Sequence, residues 1–188
     1  MELISLDRAQ TRILWHERMK RDFPKMELKK LQTILRLQES ETYDVLGVYD
    51  DGMLMGYAAV YHPPKGRVYL LDYLAVEPDV RGRGLGTEIL KLLQMHYKDC
   101  ADCLIIECER PKAAPDEQLA RRRIRFYERA GAVLTNTRFW LFRVEYSILV
   151  LPCTQVEEDR NWADEMLSLY RQMLAPEVFA QNVRLIRA

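Results

Sequence analysis

The chain has 188 residues, of which 48% are hydrophobic, which suits one domain with a buried core, or one domain plus an appendage. Lysine plus arginine and aspartate plus glutamate both number 28, so the formal net charge of zero gives no general attraction to nucleic acid or anionic lipid. No apolar stretch approaches the ~20 residues that span a bilayer, and the first residues do not resemble a signal peptide. We therefore expect a cytoplasmic protein with neither a membrane nor a nucleic-acid partner.

The four cysteines are Cys100, Cys103, Cys108 and Cys153. Their spacing fits no zinc-binding pattern. We expect four reduced thiols, as is usual for a protein of the cytosol, and no bound metal.

Hydrophobic periodicity and turn residues predict a strand, two helices, a hairpin, then strand, helix, strand, helix and two final strands. The predicted strands cover residues 2–6, 43–49, 53–62, 68–76, 103–109, 133–143 and 145–151. Asp7 is expected to cap the first helix and Pro24 to end it. Further helices are predicted for residues 27–38, from about 85 onwards, and for 116–130.

A last amphipathic helix is predicted for residues 161–174. The apolar side chains on one of its faces are Trp162, Met166, Leu169 and Met173. This pattern predicts an α/β (α+β) fold of about seven strands and four helices over residues 1–154. We expect residues 155–188 to form a helical extension packed on the same domain or on a dimer partner, and the apolar face is the reason to expect a possible homodimer.

Three of the eight glycines lie together at Gly82, Gly84 and Gly86, between a predicted strand and a predicted helix. The first amides of a helix have no internal partner and carry partial positive charge, and glycine lets them approach an anion closely. Arg81 and Arg83 add positive charge. The segment therefore indicates a phosphate or pyrophosphate site, the alternative being a turn that only tightens the joint. Its spacing fits neither a Walker loop nor a dinucleotide fingerprint.

The segment R-G-R-G-L-G at residues 81–86 resembles the coenzyme A signature [Q/R]-x-x-G-x-[G/A] of the GNAT acyltransferase family. A second segment, F-Y-E-R-A-G-A at residues 126–132, is similar to that family's F-Y-x-x-x-G-F motif. The order of the predicted elements also fits as far as residue 151. Two departures are Ala120, where the family often has an asparagine that contacts pantetheine, and Ala132, where it has an aromatic residue.

The resemblance implies a mixed, mostly antiparallel twisted sheet that parts between Val68–Val76 and Cys103–Glu109 to admit acetyl-CoA. It implies that the pyrophosphate lies on the amides of residues 81–87, and that pantetheine pairs with the backbone of residues 74–76 as an added strand does. The expected coenzyme-binding residues are Leu74, Ala75, Val76, Arg81, Gly82, Arg83, Gly84, Leu85, Gly86 and Thr87.

An alkyl amine is about a thousandfold protonated at neutral pH, and only its neutral form attacks a thioester, so a proton acceptor is needed. Asp72, a carboxylate in an apolar strand, is the first candidate, with a structural ion pair as the alternative. Glu107, with Glu109 on the same side of its strand, is the second; both could instead pair with surface arginines. The resemblance implies that Tyr127 protonates the leaving thiolate. Otherwise Tyr127 is a core tyrosine bonded to a backbone group.

Arg121, Arg125 and Arg129 form a stripe on one helix, which indicates either a solvated face paired with acids or a contact to a 3′-phosphate or partner. Taken together, these features predict an acetyl-CoA-dependent N-acetyltransferase that acts directly on a primary amine of an unidentified small-molecule or peptide acceptor. The alternative is a non-catalytic coenzyme A-binding sensor or regulatory module.

Overall fold

The computed structural model describes residues 1–157 and 159–186. In this part of the chain the strands are β1 Glu2–Ser5, β2 Tyr43–Asp50, β3 Met53–Tyr61, β4 Val68–Val76, β5 Cys103–Glu109, β6 Val133–Leu141, β7 Val144–Pro152 and β8 Val183–Leu185. The helices are α1 Arg8–Leu14, α2 Lys20–Asp22, α3 Leu31–Glu39, α4 Leu85–Tyr97, α5 Glu117–Arg129, α6 Trp162–Met173 and α7 Pro176–Asn182. A π-helical segment, Trp15–Met19, joins α1 to α2, and a 3₁₀ turn, Pro78–Val80, precedes α4.

The strands follow the hydrogen-bonded order β1-β2-β3-β4-β5-β7-β6-β8. β4 and β5 are parallel, with Val68 opposite Cys103 and Leu70 opposite Ile105. The pairs β1–β2, β2–β3, β5–β7, β6–β7 and β6–β8 are antiparallel. The predicted α/β class with a mixed, mostly antiparallel sheet is confirmed. The eighth strand, β8, is one more than the sequence predicts.

Two compact units make up the chain, and β4 and α4 contribute to both. The first unit comprises residues 1–62 and 72–92, and the second comprises residues 63–71 and 93–188.

In the first unit, Asp7 caps α1 as predicted. Its side-chain Oδ1 accepts the amides of Ala9 and Gln10, each at 2.8 Å, and the Gln10 side chain accepts the Asp7 amide at 2.9 Å. This reciprocal arrangement satisfies helix-end donors that would otherwise lack partners. The helical run then continues through the π-helical segment and ends with α2, two residues before Pro24.

The second predicted helix starts later than expected, at Leu31 rather than at residue 27. The Lys29 amide donates to the Tyr73 hydroxyl at 2.8 Å, and that hydroxyl donates to the Glu27 carbonyl at 2.8 Å. The Trp15 indole N–H donates to the Lys29 carbonyl at 3.1 Å. These contacts use backbone groups that a helix over residues 27–30 would need for itself, so the segment stays irregular.

In the second unit, β7 lies between β5 and β6, and β8 pairs with the far edge of β6. The predicted amphipathic helix is present as α6, and its residues Met166, Leu169 and Tyr170 are buried within the chain. The apolar face from which a dimer was expected is thus largely covered by the chain itself. Residues 155–188, predicted to be helical, also contribute strand β8; within them, residues 158, 187 and 188 lie outside the described residues.

Across residues 1–157 and 159–186, no helix combines the length and apolar content that crossing a bilayer requires.

Candidate functional site

Five consecutive backbone amides, those of residues 82–86, make no hydrogen bond within the described residues. The amides on either side of them are bonded: Arg81 donates to the Pro78 carbonyl at 3.3 Å, and Thr87 to the Gly84 carbonyl at 3.0 Å. The run spans the loop and the first turn of α4, where the helix dipole concentrates positive charge. The first unit therefore presents a continuous row of free donors.

The backbone of this loop depends on two glycines. Gly82 and Gly84 have φ angles of +80° and +82°, in the left-handed region that other residues rarely adopt. A Cβ placed on either glycine would meet no atom within 4 Å, so the space above the loop is open. Successive amides in such a conformation form a concave anion-binding surface, and the residues present fit a diphosphate.

The two arginines of the loop have different roles. The Arg81 guanidinium is bound by other groups of the first unit: its Nε donates to the Val76 carbonyl at 2.9 Å and its Nη2 lies 3.3 Å from Asp22. Arg83 is exposed and has no acidic partner in the described part of the chain. Arg83 is therefore the guanidinium available to an external anion. Because a carbonyl oxygen has two lone pairs, Val76 can still accept a second hydrogen bond.

Asp22 collects several donors although its side chain is only 5% exposed. The Arg21 Nε lies 2.9 Å away, and the Tyr57 hydroxyl donates at 2.8 Å. Burial acts to raise the pKa of Asp22, but the hydrogen bonds from Arg21 and Tyr57 and the charge of Arg81 outweigh it and hold that pKa below the usual value. Sequence reasoning missed this cluster, since its members come from three separate segments.

Asp72, the first candidate base, is held by two side chains in the first unit. Lys29 Nζ lies 2.7 and 2.8 Å from its two oxygens, and the Tyr43 hydroxyl donates to it. Burial, and then the charge of Asp72, raise the pKa of Tyr43, so the phenol remains a donor. The structural ion pair considered as the alternative for Asp72 is therefore present. Neither Lys29 nor Tyr43 belongs to a sequence motif from which this contact could have been predicted.

The second unit holds the other two predicted catalytic residues. Glu107 accepts a hydrogen bond from the Tyr170 hydroxyl at 2.7 Å. Its neighbour Glu109 forms an ion pair with Arg123 at 3.5 Å, as the alternative for the glutamates expected. Tyr170 lies on α6 and was not among the predicted residues.

The Tyr127 hydroxyl has no hydrogen-bond partner within the described residues. Burial raises the pKa of Tyr127, and the nearby Cys108 thiol adds to the effect. A buried phenol normally donates to a backbone or side-chain acceptor, which is the alternative weighed for this residue. The structure does not contain that bond, and the protonated hydroxyl is available as a donor.

Ala120, on the same helix, is 1% exposed and belongs to the core. The asparagine contact to pantetheine therefore has no counterpart at this position. All four cysteines are free thiols. Among the residues that the structure describes, no group of three or more His, Cys, Asp or Glu side chains is arranged to hold a metal ion.

Comparison with known proteins identifies the class. The model of the acetyltransferase (GNAT) family matches residues 3–132. An uncharacterised protein from Dictyostelium discoideum is 28% identical over 149 residues, a match that covers 72% of this chain and 30% of that protein. The chain thus spans about a third of the length of the curated relative that it matches.

Solved structures share the fold. A protein assigned to the GNAT family from Bacteroides thetaiotaomicron superposes with a TM-score of 0.73 at 19% identity, covering 90% of this chain and 96% of that one. The Escherichia coli ribosomal-protein-S18-alanine N-acetyltransferase gives 0.61 at 20% identity, covering 86% and 99%. A Salmonella typhimurium protein assigned as an acetyltransferase, solved with its cofactor acetyl-CoA, gives 0.57 at 17% identity, covering 85% and 98%.

The chain therefore belongs to the GNAT acetyltransferase family. Acetyl transfer from acetyl-CoA is the chemistry of that family, and the free amides of residues 82–86 lie in the segment that carries its coenzyme A signature.

Proposed function

We propose that this protein moves the acetyl group of acetyl-CoA directly onto a primary amine. The observation that carries the proposal is the row of five unbonded amides at residues 82–86, at the front of α4. A helix start with free amides and an adjacent guanidinium is suited to a diphosphate, and coenzyme A contains one.

The chain's own groups divide the binding between them. The amides of residues 82–86 and the side chain of Arg83 hold the diphosphate, while the backbone of Leu74, Ala75 and Val76 holds the pantetheine arm as an added strand. Acetyl-CoA supplies an acetyl group activated as a thioester.

Transfer forms a carbon–nitrogen bond and breaks the carbon–sulfur bond, so one proton must leave the amine and one must reach the thiolate. We assign the second proton to Tyr127, whose raised pKa keeps it protonated and whose hydroxyl has no other partner in the described residues. Asp72 and Glu107 remain the candidates for accepting the proton that leaves the amine. Asp72 already binds Lys29 and Tyr43, so it could accept a proton only if that cluster rearranged.

An acceptor screen tests the proposal. Purified protein is mixed with acetyl-CoA and single amines, and free thiol is followed over time. The panel includes a polyamine, free amino acids, an aminoglycoside, a lysine-containing peptide and a peptide with an N-terminal alanine, the last because the E. coli neighbour is named for that residue.

Release of thiol that depends on one amine, with acetylated product found by mass spectrometry, supports the proposal. Calorimetric binding of acetyl-CoA without turnover on any amine would instead support a coenzyme-binding sensor. Absence of binding to either CoA or acetyl-CoA would remove the assignment of residues 82–86.

A further inference from the structure

The second unit contains a surface cleft of about 420 Å³ that the proposed reaction does not use. It lies beside α5, next to the segment that follows β5. Its apolar wall consists of Pro111, Ile124 and Leu134, of which Leu134 is 42% exposed. Sites of roughly 300–1,000 Å³ with mostly apolar walls and a few polar groups are typical of small-molecule binding.

The charged side chains around this cleft are predominantly cationic. Four cations, Arg110, Lys112, Arg121 and Arg125, face a single carboxylate, Glu128. Two of these cations are paired outside the cleft: Arg110 with Glu145 at 2.8 Å, and Arg121 with Glu117 at 2.9 Å.

Lys112 and Arg125 have no acidic partner within the described residues. The two paired guanidinium groups also keep donors to spare, because each carries five N–H bonds. The sequence left two interpretations for the arginine stripe of α5, a solvated face paired with acids or a contact to a ligand. The structure places its members in different environments. Arg121 is paired with a neighbouring acid, and Arg125 lines the cleft unpaired.

A buried hydroxyl gives the second, independent observation. Ser147 on β7 is 8% exposed, lines the cleft, and its side chain has no hydrogen-bond partner among the residues that the structure describes. Its backbone is used by the sheet, since Ser147 pairs with Cys108 on one side and Arg138 on the other. Because the Ser147 hydroxyl lines a cationic cleft and no group of the described residues uses it as a donor or acceptor, it is available to donate to an anionic ligand.

We propose that this cleft binds a small organic anion bearing one carboxylate or phosphate group. The anionic group is held by Arg125, Lys112 and the Ser147 hydroxyl, which donates to it. The hydrocarbon part lies on Ile124, Leu134 and Pro111. Charge-assisted hydrogen bonds of this kind are the strong ones, and they favour an oxyanion over a neutral ligand of equal shape.

The test uses the full chain, isotope-labelled for NMR, and three probes with the same ring: benzoate, phenyl phosphate and benzyl alcohol. We expect benzoate or phenyl phosphate to shift the amide signals of Ser147 and Arg125, with binding that weakens as salt is added. Whichever of the two binds identifies the anionic group. Neutral benzyl alcohol is expected to produce smaller shifts at every concentration.

Two variants and one control test whether Arg125 and Ser147 bind the anionic probe. Arg125→Ala should weaken binding of the anionic probe about tenfold or more, and Ser147→Ala should weaken it about two- to tenfold. Arg129→Ala, an exposed arginine on the same helix that does not line the cleft, should leave affinity unchanged. Because serine to alanine is nearly isosteric and Arg125 is exposed, both variants should keep the parental melting temperature.

Three results would overturn the proposal: no probe shifts Ser147, benzyl alcohol binds as well as the anions, or Arg129→Ala loses as much affinity as Arg125→Ala. A fourth would do so as well. If saturating CoA abolishes probe binding competitively, the cleft belongs to the coenzyme rather than to a separate anion. None of these outcomes depends on turnover, so the cleft and the proposed acetyl transfer can fail separately.

Discussion

Asp22 and Arg81 form an ion pair of 3.3 Å within the first unit, and Arg81 in turn donates its Nε to the Val76 carbonyl at 2.9 Å. Arg81, at the start of the glycine-rich loop, thus contacts both the end of α2 and the end of β4. Tyr57 and Arg21 complete the contacts of the Asp22 carboxylate. From these contacts we expect Asp22 to act as a positioning residue for the loop, through Arg81.

Asp22→Asn should loosen the loop and weaken CoA binding about two- to tenfold, which is the effect of one or two lost hydrogen bonds. We expect faster hydrogen exchange of the two hydrogen-bonded amides that flank the loop, those of Arg81 and Thr87, in the free protein. Mass spectrometry measures this exchange, and calorimetry is expected to show a lower affinity. Asp79→Asn, an exposed acid in the neighbouring 3₁₀ turn, serves as the control. Equal exchange in the two variants would contradict a positioning role.

The lowered pKa of Asp22 also fixes the direction of a pH effect. A carboxyl whose pKa is lowered by folding contributes stability above its ordinary value near 3.8, and this contribution is lost as the pH falls through the native value. CoA affinity should therefore show no Asp22-dependent change between pH 6 and 8, as calorimetry at the two values would reveal.

Arg83 is expected to act on the ligand itself. Arg83→Ala should weaken CoA binding about tenfold or more, because a charge-assisted contact to a phosphate is lost. The remaining affinity should depend less on salt, while hydrogen exchange of the free loop stays as in the parent. Calorimetry at two salt concentrations separates this result from that of Asp22→Asn. An unchanged salt dependence would argue that Arg83 does not meet the diphosphate.

The glycine-rich loop at residues 81–86 could be located from sequence because its signal is local: three glycines and two arginines lie within six residues, between a strand and a helix. Its binding of a phosphate stays a prediction. The N-cap at Asp7 was readable for the same reason. Contacts between distant segments were not. Lys29 and Asp72 are 43 residues apart, and no periodicity links them.

Two further differences have physical causes. The π-helical turn at Trp15–Met19 departs from the 3.6-residue period on which helix prediction depends. Strand β8 has only three residues, too few to show the alternation of apolar and polar residues that predicts a strand. It forms by pairing with β6. Glu107 was a candidate proton acceptor with an arginine pair as the alternative, and its side chain accepts a hydrogen bond from Tyr170, 63 residues away in the sequence.

Tyr127→Phe tests the proposed acid. We expect kcat to fall about a hundredfold or more, because the thiolate loses its proton donor, with the affinity for acetyl-CoA retained. Steady-state thiol release with the amine found in the acceptor screen, together with calorimetry, separates the two quantities. Tyr49→Phe, a half-exposed tyrosine of β2, is the matched control. Unchanged turnover in Tyr127→Phe would exclude Tyr127 from the reaction.

The buried thiols should be chemically inert. Burial raises the pKa of Cys103 and of Cys108 to about 12, whereas Cys100 is exposed. Iodoacetamide at pH 8 should therefore modify Cys100 first and reach Cys103 and Cys108 only after denaturation, as peptide mass spectrometry would show. Early labelling of Cys103 in the folded protein would contradict its burial.

Because folding raises these thiol pKa values, the stability that the neutral thiols contribute is present below their ordinary pKa of ~8.5 and is lost as the pH rises towards 12. The free energy of unfolding should accordingly decrease in alkaline solution. In the Cys103→Ala variant this decrease should be smaller. Urea denaturation at pH 7 and pH 10 measures the difference.

Lys29 and Asp72 allow the structural and catalytic roles of the carboxylate to be separated. Their side chains are 23% and 10% exposed, so removing either partner of this half-buried pair should cost about 1–3 kcal/mol. Lys29→Met and Asp72→Asn should be less than additive in urea denaturation, whereas Lys25→Met, an exposed lysine of the same loop, should cost little. If Asp72 also accepts the amine proton, Asp72→Asn will lower kcat even in the Lys29→Met background. If Asp72 only anchors the loop, the double variant will turn over as fast as Lys29→Met alone.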